Sequence, residues 1–530
     1  MSTKLAIPAY DTSPNLTVET RPKQVKEWLD KLPMANGTEV GEQLRVELAM
    51  TNRTKCAPDT RLKIAELYRH SIHELEGVIE TRFFGGALPL PEKSRQAAQL
   101  LRDCFNELAV AYKLSLLEFE SKLISFGNDK YLPQIIARAI EALNRILIVC
   151  YQTYAPTPAG VWSEIHELYR LALQKQLQDE VIDDNGQATS VNLAYKQALL
   201  LALADPYRLM HGESLKTLAY IGKFGQFAQL SPYRENIGKL GYFLIRLDHD
   251  KAPQSLAYHH AVIDARTDIV LNTLEIAKLL HHQILHLESG QSAAQLGLPE
   301  AAPGSPEYID LLRRLLKFWG TAPKRHYNRT PGRDPIYLCT GIRGLHSMLT
   351  GSNQPDTTEE TAIGEVTLQL NTSQIDQTSQ NTFHITRWAV VNESAGGLGL
   401  TKVSDEAGNI RVGDIIGVKQ PKTDGWSIGV IRWLQGTKRS EIRMGAQMLA
   451  PHADAVSLRP TVGSGNEPFT QALLLPEIPL LKQPATLLAP KGLFLNMREF
   501  QLLDGKGQVR LIRSTRLLEQ TATYELFMFQ

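Results

Sequence analysis

Two short stretches, RTPGR at residues 329–333 and NESAGG at residues 392–397, flank an apolar strand pattern and an acidic, polar insertion. The first stretch places Arg329 and Arg333 on one short loop that also contains proline and glycine. Two guanidinium groups on such a loop can hold phosphate oxygens in bidentate fashion and stack on planar bases, which lysine side chains cannot do. The loop therefore favours an anionic, phosphate-bearing ligand.

The second stretch offers groups that can recognise a base. The Asn392 side chain is both a donor and an acceptor, Ser394 adds a hydroxyl, and the glycines that follow let the backbone approach a ligand closely. Each stretch alone also has a plainer interpretation, as a solvated arginine loop and as a tight turn. Taken together, the two stretches suit a planar purine joined to an anionic phosphate.

Two short β patterns follow, at residues 411–418 and 425–434, with a turn composition between them. In the second pattern Trp426, Ile428 and Val430 alternate with other apolar residues, so both faces of this strand are expected to be covered. A further strand is predicted at residues 442–449.

This order of motifs resembles the PilZ domain family, whose signatures are an RxxxR loop and a [D/N]xSxxG segment in a small β-barrel. The strand SIGVIRW at residues 427–433 is similar to the late strands of that family. Asn392 stands where many members carry Asp, and the gap between the motifs is longer than usual, which we interpret as an insertion at about 351–382.

The resemblance implies an antiparallel PilZ-like β-barrel at about residues 324–460 that binds cyclic di-GMP. It also implies the ligand-binding residues, which are Arg329, Arg333, Asn392, Ser394 and Gly397. Members of the family are bacterial second-messenger receptors that act through protein partners on motility, pili or exopolysaccharide. The resemblance therefore implies a binding effector in signal transduction, and no enzyme.

Composition limits the other classes of function. A chain of 530 residues suggests two or three domains, and a net charge of +1 argues against a polymeric nucleic acid as partner. No apolar run of membrane-spanning length and no secretory signal pattern occur, so the expected location is the cytoplasm, without membrane insertion.

The cysteines and histidines give no metal-site pattern. The four cysteines lie far apart without CxxC spacing, so we expect small buried hydrophobic residues in a reducing compartment. His282 and His286 are spaced four apart, with His259 and His260 upstream, but Gln283 stands where a zinc protease would carry glutamate. Neither a metal nor a recognisable catalytic set is expected.

Residues 22–320, after an N-terminal tail at 1–21, predict an all-α domain that resembles no assigned family. Leu132 to Tyr151 and Pro306 to Trp319 each carry an apolar stripe at helical spacing, and a third helix is predicted from Ile269 to Leu287. Trp162, Ile165 and Tyr169 match part of a tetratricopeptide unit, so either a solenoid-like repeat or an ordinary helical bundle explains them. We expect this domain to bind an unidentified protein partner.

The last segment, residues 461–530, returns to β composition. Strands are predicted at 472–475, 491–495, 508–512 and 523–529, with a turn at 504–507. We expect a β extension packed on the barrel, because so few strands do not make a confident barrel. The alternative to the receptor function is a helical-repeat interaction scaffold whose PilZ-like barrel binds no nucleotide.

Overall fold

The computed structural model describes residues 5–11, 18–121, 129–184, 186–235, 237–258, 262–264, 266–299, 306–320, 328–332, 334–351, 385–402, 409–421, 423, 425–436, 441–462, 468–479 and 482–530. The chain forms two compact units. The first contains Met1–Arg325 with Gln435–Lys438, and the second contains His326–Leu434 with Arg439–Gln530. Each unit has its own architecture.

The first unit is mainly helical. Its helices in the described residues are α1 Pro22–Leu29, α2 Gly37–Arg53, α3 Pro58–Glu80, α4 Glu92–Ser121, α5 Leu132–Gln152, α6 Val161–Gln174, α7 Val191–Leu203, α8 Glu213–Phe224, α9 Leu274–Glu288 and α10 Pro306–Gly320. Four of them, α1, α3, α5 and α10, carry proline in the first turn, where the missing N–H has no helical partner to lose. The two helices predicted at 132–151 and 306–319 are confirmed as α5 and α10.

One hydrophobic core runs through these helices up to α10. Trp319, near the end of α10, is fully buried, and its indole N–H donates to the carbonyl oxygen of Leu200 in α7 (3.1 Å). Trp162, Ile165 and Tyr169 of α6 are buried in the same core. Burial of these apolar faces against one another is what makes individual helices of this kind stable.

The first unit also contains strands that the predicted all-α domain lacks. They are β1 Ile182–Asp184, β2 Gln187–Thr189, β3 Gln229–Pro232, β4 Tyr242–Arg246, β5 Gln254–Ser255 and β6 Asp268–Asn272. The first two form a hairpin, and the others form a sheet in the order β3-β6-β4-β5. The predicted helix from Ile269 was therefore wrong in its first turn, because Ile269, Val270 and Leu271 are buried in strand β6 and the helix begins at Leu274.

The middle part of the chain forms a closed sheet in the second unit. Its elements are β7 Thr330–Pro331, β8 Ile336–Thr340, α11 Ile342–Thr350, β9 Ile385–Ser394, β10 Gly397–Lys402, β11 Ile415–Lys419, β12 Ser427–Gly436 and β13 Ile442–Ala450. The strand order is β10-β13-β12-β11-β8-β9-β7, and β9 also pairs with β10, which closes a barrel of six strands. This arrangement confirms the predicted antiparallel PilZ-like barrel after a helical part.

Helix α11 was not predicted. Its residues Ile342 and Leu345 are buried, with Met348 and Leu349 packed beside them, which is helical spacing in a segment too short to stand out. The predicted insertion at about 351–382 lies, apart from Gly351, outside the described residues.

The last part of the chain forms a closed six-stranded barrel rather than only an extension. Its strands are β14 Asp454–Pro460, β15 Thr470–Leu475, β16 Thr486–Pro490, β17 Glu499–Leu503, β18 Val509–Gln520 and β19 Tyr524–Phe529, in the order β14-β15-β16-β19-β18-β17. Pairing of β14 with β17 closes it. The barrel thus begins before residue 461, and β14, β16 and β17 were missed.

The strand predicted at 491–495 was also wrong. Residues 491–495 follow β16 as a loop, whose backbone N–H groups at Gly492 and Phe494 donate to the Glu525 carboxylate (2.9 and 2.7 Å). Because Glu525 is almost fully buried, these bonds satisfy a charge that would otherwise be costly inside the barrel.

The two barrels share a hydrophobic core. Ile428 and Val430 of β12 lie in one buried cluster with Leu488 and Tyr524 of the C-terminal barrel and with Leu345 of α11. The prediction that this strand is covered on both faces is confirmed. The face that points away from the interior of the middle barrel is covered by the C-terminal barrel together with α11.

Asp414, in the turn before β11, makes the stability of this unit pH-dependent. Burial raises the pKa of Asp414 to about 6, although the backbone N–H of Arg411 donates to its carboxylate (2.7 Å). An unfolded aspartate titrates near 4, so the folded state favours the protonated form, and this contribution is lost as pH rises through about 6. Relative to Asp414→Asn, the wild-type unfolding free energy should fall between about pH 4 and pH 7, by on the order of 1–3 kcal/mol. Urea unfolding of both proteins across this range measures the effect, and parallel curves would contradict it.

Candidate ligand-binding face of the middle barrel

The two motifs lie side by side in the structure. Strand β7 pairs with β9, with Thr330 opposite Glu393 and Pro331 opposite Asn392. A methyl group added to Gly332 would lie 2.5 Å from the carbonyl oxygen of Val390, so glycine is what lets the loop approach β9 so closely. The pairing brings the arginine loop to the edge of the second motif.

The two arginines differ in what the structure describes. Arg329 is exposed and directly precedes β7, so its guanidinium is available beside the second motif. Arg333 lies outside the described residues.

A bulge determines which residues of β9 face outward. In the ladder with β10, Asn392 is opposite Gly399, whereas the next pair is Val390 with Leu400, so Val391 is left over. Such a bulge shifts the alternation of side chains by one residue. Leu400 and its β13 partner Met444 are buried inside the barrel, and the neighbouring pair of Gly399 with Gly445 therefore faces outward together with Asn392.

The first outward row runs across four strands. The Asn392 side chain lies over Gly399, because an added methyl group there would be 2.7 Å from Oδ1 of Asn392. The indole of Trp433 in β12 lies over Gly445, where an added methyl group would meet its Nε1. The row thus has an amide at one end, an indole at the other, and two glycines between them.

A second outward row lies beside the first. Ser394 is opposite Gly397, which is opposite Gln447 of β13. The Ser394 hydroxyl donates to the carbonyl oxygen of Gly397 (3.2 Å), so in this structure it also closes the hairpin turn. A methyl group on Gly397 would lie 2.4 Å from the carbonyl oxygen of Ala446, which shows that glycine is needed here by the sheet itself.

A cavity of about 630 Å³ lies next to the same loop. It is lined by Thr330, Pro331, Asp334, Ile336, Val390, Glu393, Leu398, Val418, Gln420 and Pro421. The described part of its lining contains two acidic residues and no arginine or lysine. The outward rows lie next to the exposed Arg329 and therefore match an anionic ligand better than this described lining does.

The structure therefore assembles four of the five predicted residues on one face, with Arg329, Asn392, Ser394 and Gly397 on neighbouring strands or directly before one. Sequence reasoning missed Trp433 as a site residue. Small residues at positions 399 and 445 were the available signal, but only the strand pairing shows that Trp433 lies over one of them.

Among the described residues, no group of three or more histidine, cysteine or acidic side chains is placed to hold a metal ion. His282 and His286 are neighbours on α9, with their Nε2 atoms 2.8 Å apart, while His259 and His260 lie outside the described residues. The described helices also include none that is both long and apolar enough to cross a bilayer.

Three family models match this chain, and all three describe one receptor. The N-terminal domain of the cyclic-di-GMP receptor FimW matches residues 23–235, its middle PilZ domain matches 242–358 and 352–455, and its C-terminal β-barrel domain matches 455–530. The chain belongs to the FimW family. The N-terminal domain, which the sequence alone left unassigned, is therefore the N-terminal domain of this family.

A curated relative supports the same family. The cyclic-di-GMP receptor FimW of Pseudomonas aeruginosa is 25% identical over 573 aligned residues, covering 98% of this chain and 92% of that receptor. No solved structure gives a significant match. The FimW middle-domain model begins at residue 242, whereas the hydrophobic core of the helices continues to Trp319. The family model and the structure therefore divide the chain differently. The domain boundaries predicted at residues 320 and 460 stay predictions.

The close approach at Gly397 generates a stability prediction. Gly397→Ala should lower the unfolding free energy by about 1–3 kcal/mol, because the new methyl group overlaps the β13 backbone. Gly425→Ala is the matched control, since no atom lies within 4 Å of an added methyl group there. Urea unfolding measures both variants. Equal stability of the two would show that the β10–β13 approach is looser than described.

Proposed function

We propose that this chain is a cyclic di-GMP receptor and that the ligand binds on the outward face of β9, β10, β13 and β12. The carrying observation is that β7 places the arginine loop beside the second motif, on the barrel that the FimW family uses as its PilZ domain. The proposed ligand residues are Arg329, Arg333, Asn392, Ser394 and Gly397, with Trp433 added from the structure.

The arrangement fits a nucleotide with two guanine bases and two phosphates. Guanidinium groups supply charge-assisted bonds to phosphate oxygens and a flat surface for a base. The indole of Trp433 offers a second stacking surface, and the side chain of Asn392 can exchange hydrogen bonds with a base edge. Gly399 and Gly445 carry no side chain, which lets the Asn392 amide and the Trp433 indole lie flat against the sheet beside a ligand.

We further propose that the protein acts as an effector in the bacterial cytoplasm, without a metal cofactor. By its resemblance to PilZ proteins, the output would control motility, pili or exopolysaccharide through a protein partner of the helical unit. Binding groups, rather than a nucleophile with a general base, occupy the described part of the candidate face, which supports a receptor over an enzyme.

The arginine loop carries the first binding prediction. Arg329→Ala and Arg333→Ala should each weaken cyclic di-GMP binding roughly tenfold to a hundredfold, since a hydrogen bond to a charged group contributes about 1.5–3 kcal/mol. Calorimetric titration of the full chain measures the affinity, with GTP and cyclic di-AMP as control ligands. If wild-type protein binds no cyclic di-GMP, the barrel is an interaction surface only, as in the scaffold alternative.

Trp433 carries the second binding prediction. Trp433→Ala should weaken binding roughly fivefold to a hundredfold, because stacking a base on an aromatic ring contributes about 1–3 kcal/mol. Trp433→Phe should retain most of the affinity, and Asn392→Asp, which restores the commoner family residue, should also bind. The same titration with circular dichroism as a folding control measures all three. Equal affinities of Trp433→Ala and wild type would remove Trp433 from the site.

A further inference from the structure

Arg432 lies at the end of the second outward row. Its Nε donates to Oε1 of Gln447 (2.8 Å), and Gln447 is the strand partner of Gly397. The row therefore reads Ser394, Gly397, Gln447 and Arg432 across four strands. This places a guanidinium on the proposed ligand face, opposite the side on which Arg329 enters.

The guanidinium of Arg432 is held by the C-terminal barrel. Its Nη1 and Nη2 donate to Oε1 and Oε2 of Glu519 in β18 (2.5 and 2.8 Å), and the Tyr524 hydroxyl donates to Oε1 of the same carboxylate (2.6 Å). The side chains of Arg432 and Glu519 are 28% and 21% exposed, so solvent and a ligand can reach the pair. Glu519 also sits at a register shift of β18, where the ladder is irregular.

We propose that Arg432 exchanges Glu519 for an anionic oxygen of the bound nucleotide, so that ligand binding on the middle barrel releases this contact with the C-terminal barrel. The inference rests on the proposed function and adds a regulatory contact to its site. Glu519 acts in it as an internal competitor of the ligand, and Arg432 acts as a ligand-binding residue.

The exchange is chemically balanced. A phosphate oxygen pair accepts the same two parallel N–H bonds that the Glu519 carboxylate accepts, so Arg432 keeps its bidentate partner geometry. Glu519 keeps the Tyr524 hydroxyl bond and gains water, because it is partly exposed. Neither charge is left buried and unpaired, which is the situation that makes breaking an ion pair costly.

The consequence is a link between ligand binding and the C-terminal barrel. The Arg432 contact lies beside the shared hydrophobic core, in which Tyr524 is fully buried. That core keeps the barrels together when the ion pair opens, so the expected change is a local loosening around Glu519 and no separation of the barrels.

Calorimetric titration of the full chain with cyclic di-GMP tests the exchange. Glu519→Gln should tighten binding about threefold to tenfold, because the competing carboxylate is removed, whereas Arg432→Gln should weaken it roughly tenfold. Glu499→Gln is the matched control, since Glu499 pairs with Arg513 on the same barrel, and this variant should leave the affinity for cyclic di-GMP unchanged. In the double variant Arg432→Gln/Glu519→Gln, the gain in affinity that Glu519→Gln gives alone should vanish, because there is no arginine left to release.

Hydrogen exchange supplies an independent readout. Peptides that cover residues 515–520 should exchange faster when wild-type protein binds cyclic di-GMP. If Glu519→Gln leaves the affinity unchanged or weakens it while wild type binds, the exchange is overturned and the proposed function stands. If wild type does not bind, or binds without sensitivity to Arg329→Ala, the proposed ligand site itself falls, and the exchange falls with it.

Discussion

The antiparallel ladder between β9 and β10, with its bulge at Val391, is the constraint on which the middle barrel's outer face depends. The bulge lets Trp388 and Leu400 fill the interior while Asn392 and Ser394, on the continuation of the same strand, face outward. Without the extra residue, the alternation of side chains would turn Asn392 inward and Glu393 outward. The pairing of β7 with β9 then places the arginine loop beside Asn392 and Glu393.

The charges of this face and those in the interior of the helical unit have different environments. In the helical unit, several buried cations are paired internally, as Arg61 is with Glu118, Lys113 with Glu164, and Arg138 with Asp184. Each of these cations is held in place by its acidic partner, and the partner's charge offsets the attraction that the cation would exert on an anionic ligand. The exposed Arg329, directly before β7, is in a different environment, because solvent and an incoming anion can reach it. A chain with a net charge of only +1 can thus present a local anion site.

The sequence predicted the parts of the fold that local patterns encode. Stripes of apolar residues located α5 and α10, and alternation with turn residues located β11 to β13. It failed where a local pattern fits two structures: Ile269 to Leu271 suit either a helix or a buried strand, and only pairing with β3 and β4 decides. Closure of the C-terminal barrel depends on the contact between β14 and β17, which are about 40 residues apart in the chain and carry no pairing signal that a single sequence reveals.

In the candidate site, too, the sequence identified only what local patterns encode. The motifs identified Asn392 and Ser394 because their residue types are specific, whereas Trp433 and Arg432 looked like ordinary members of an apolar strand. Their positions follow from the pairing of β12 with β13, which puts Gly445 beneath Trp433 and Gln447 beside Arg432. A tryptophan next to an arginine is equally compatible with plain strand packing, so residue type alone does not select the pair as part of a site.

Strand β12 contributes side chains to two different surfaces. Ile428 and Val430 bury their side chains between the barrels, while Arg432 and Trp433 reach the outward rows. From Val430 to Trp433 the strand advances only about 10 Å, at roughly 3.3 Å per residue, and a paired strand does not absorb a shift as a loop does. Because interior packing transmits displacement, a ligand that moves Trp433 also acts on the residues beneath the C-terminal barrel. Under the proposed function, the C-terminal barrel is therefore placed to respond when a ligand displaces Trp433.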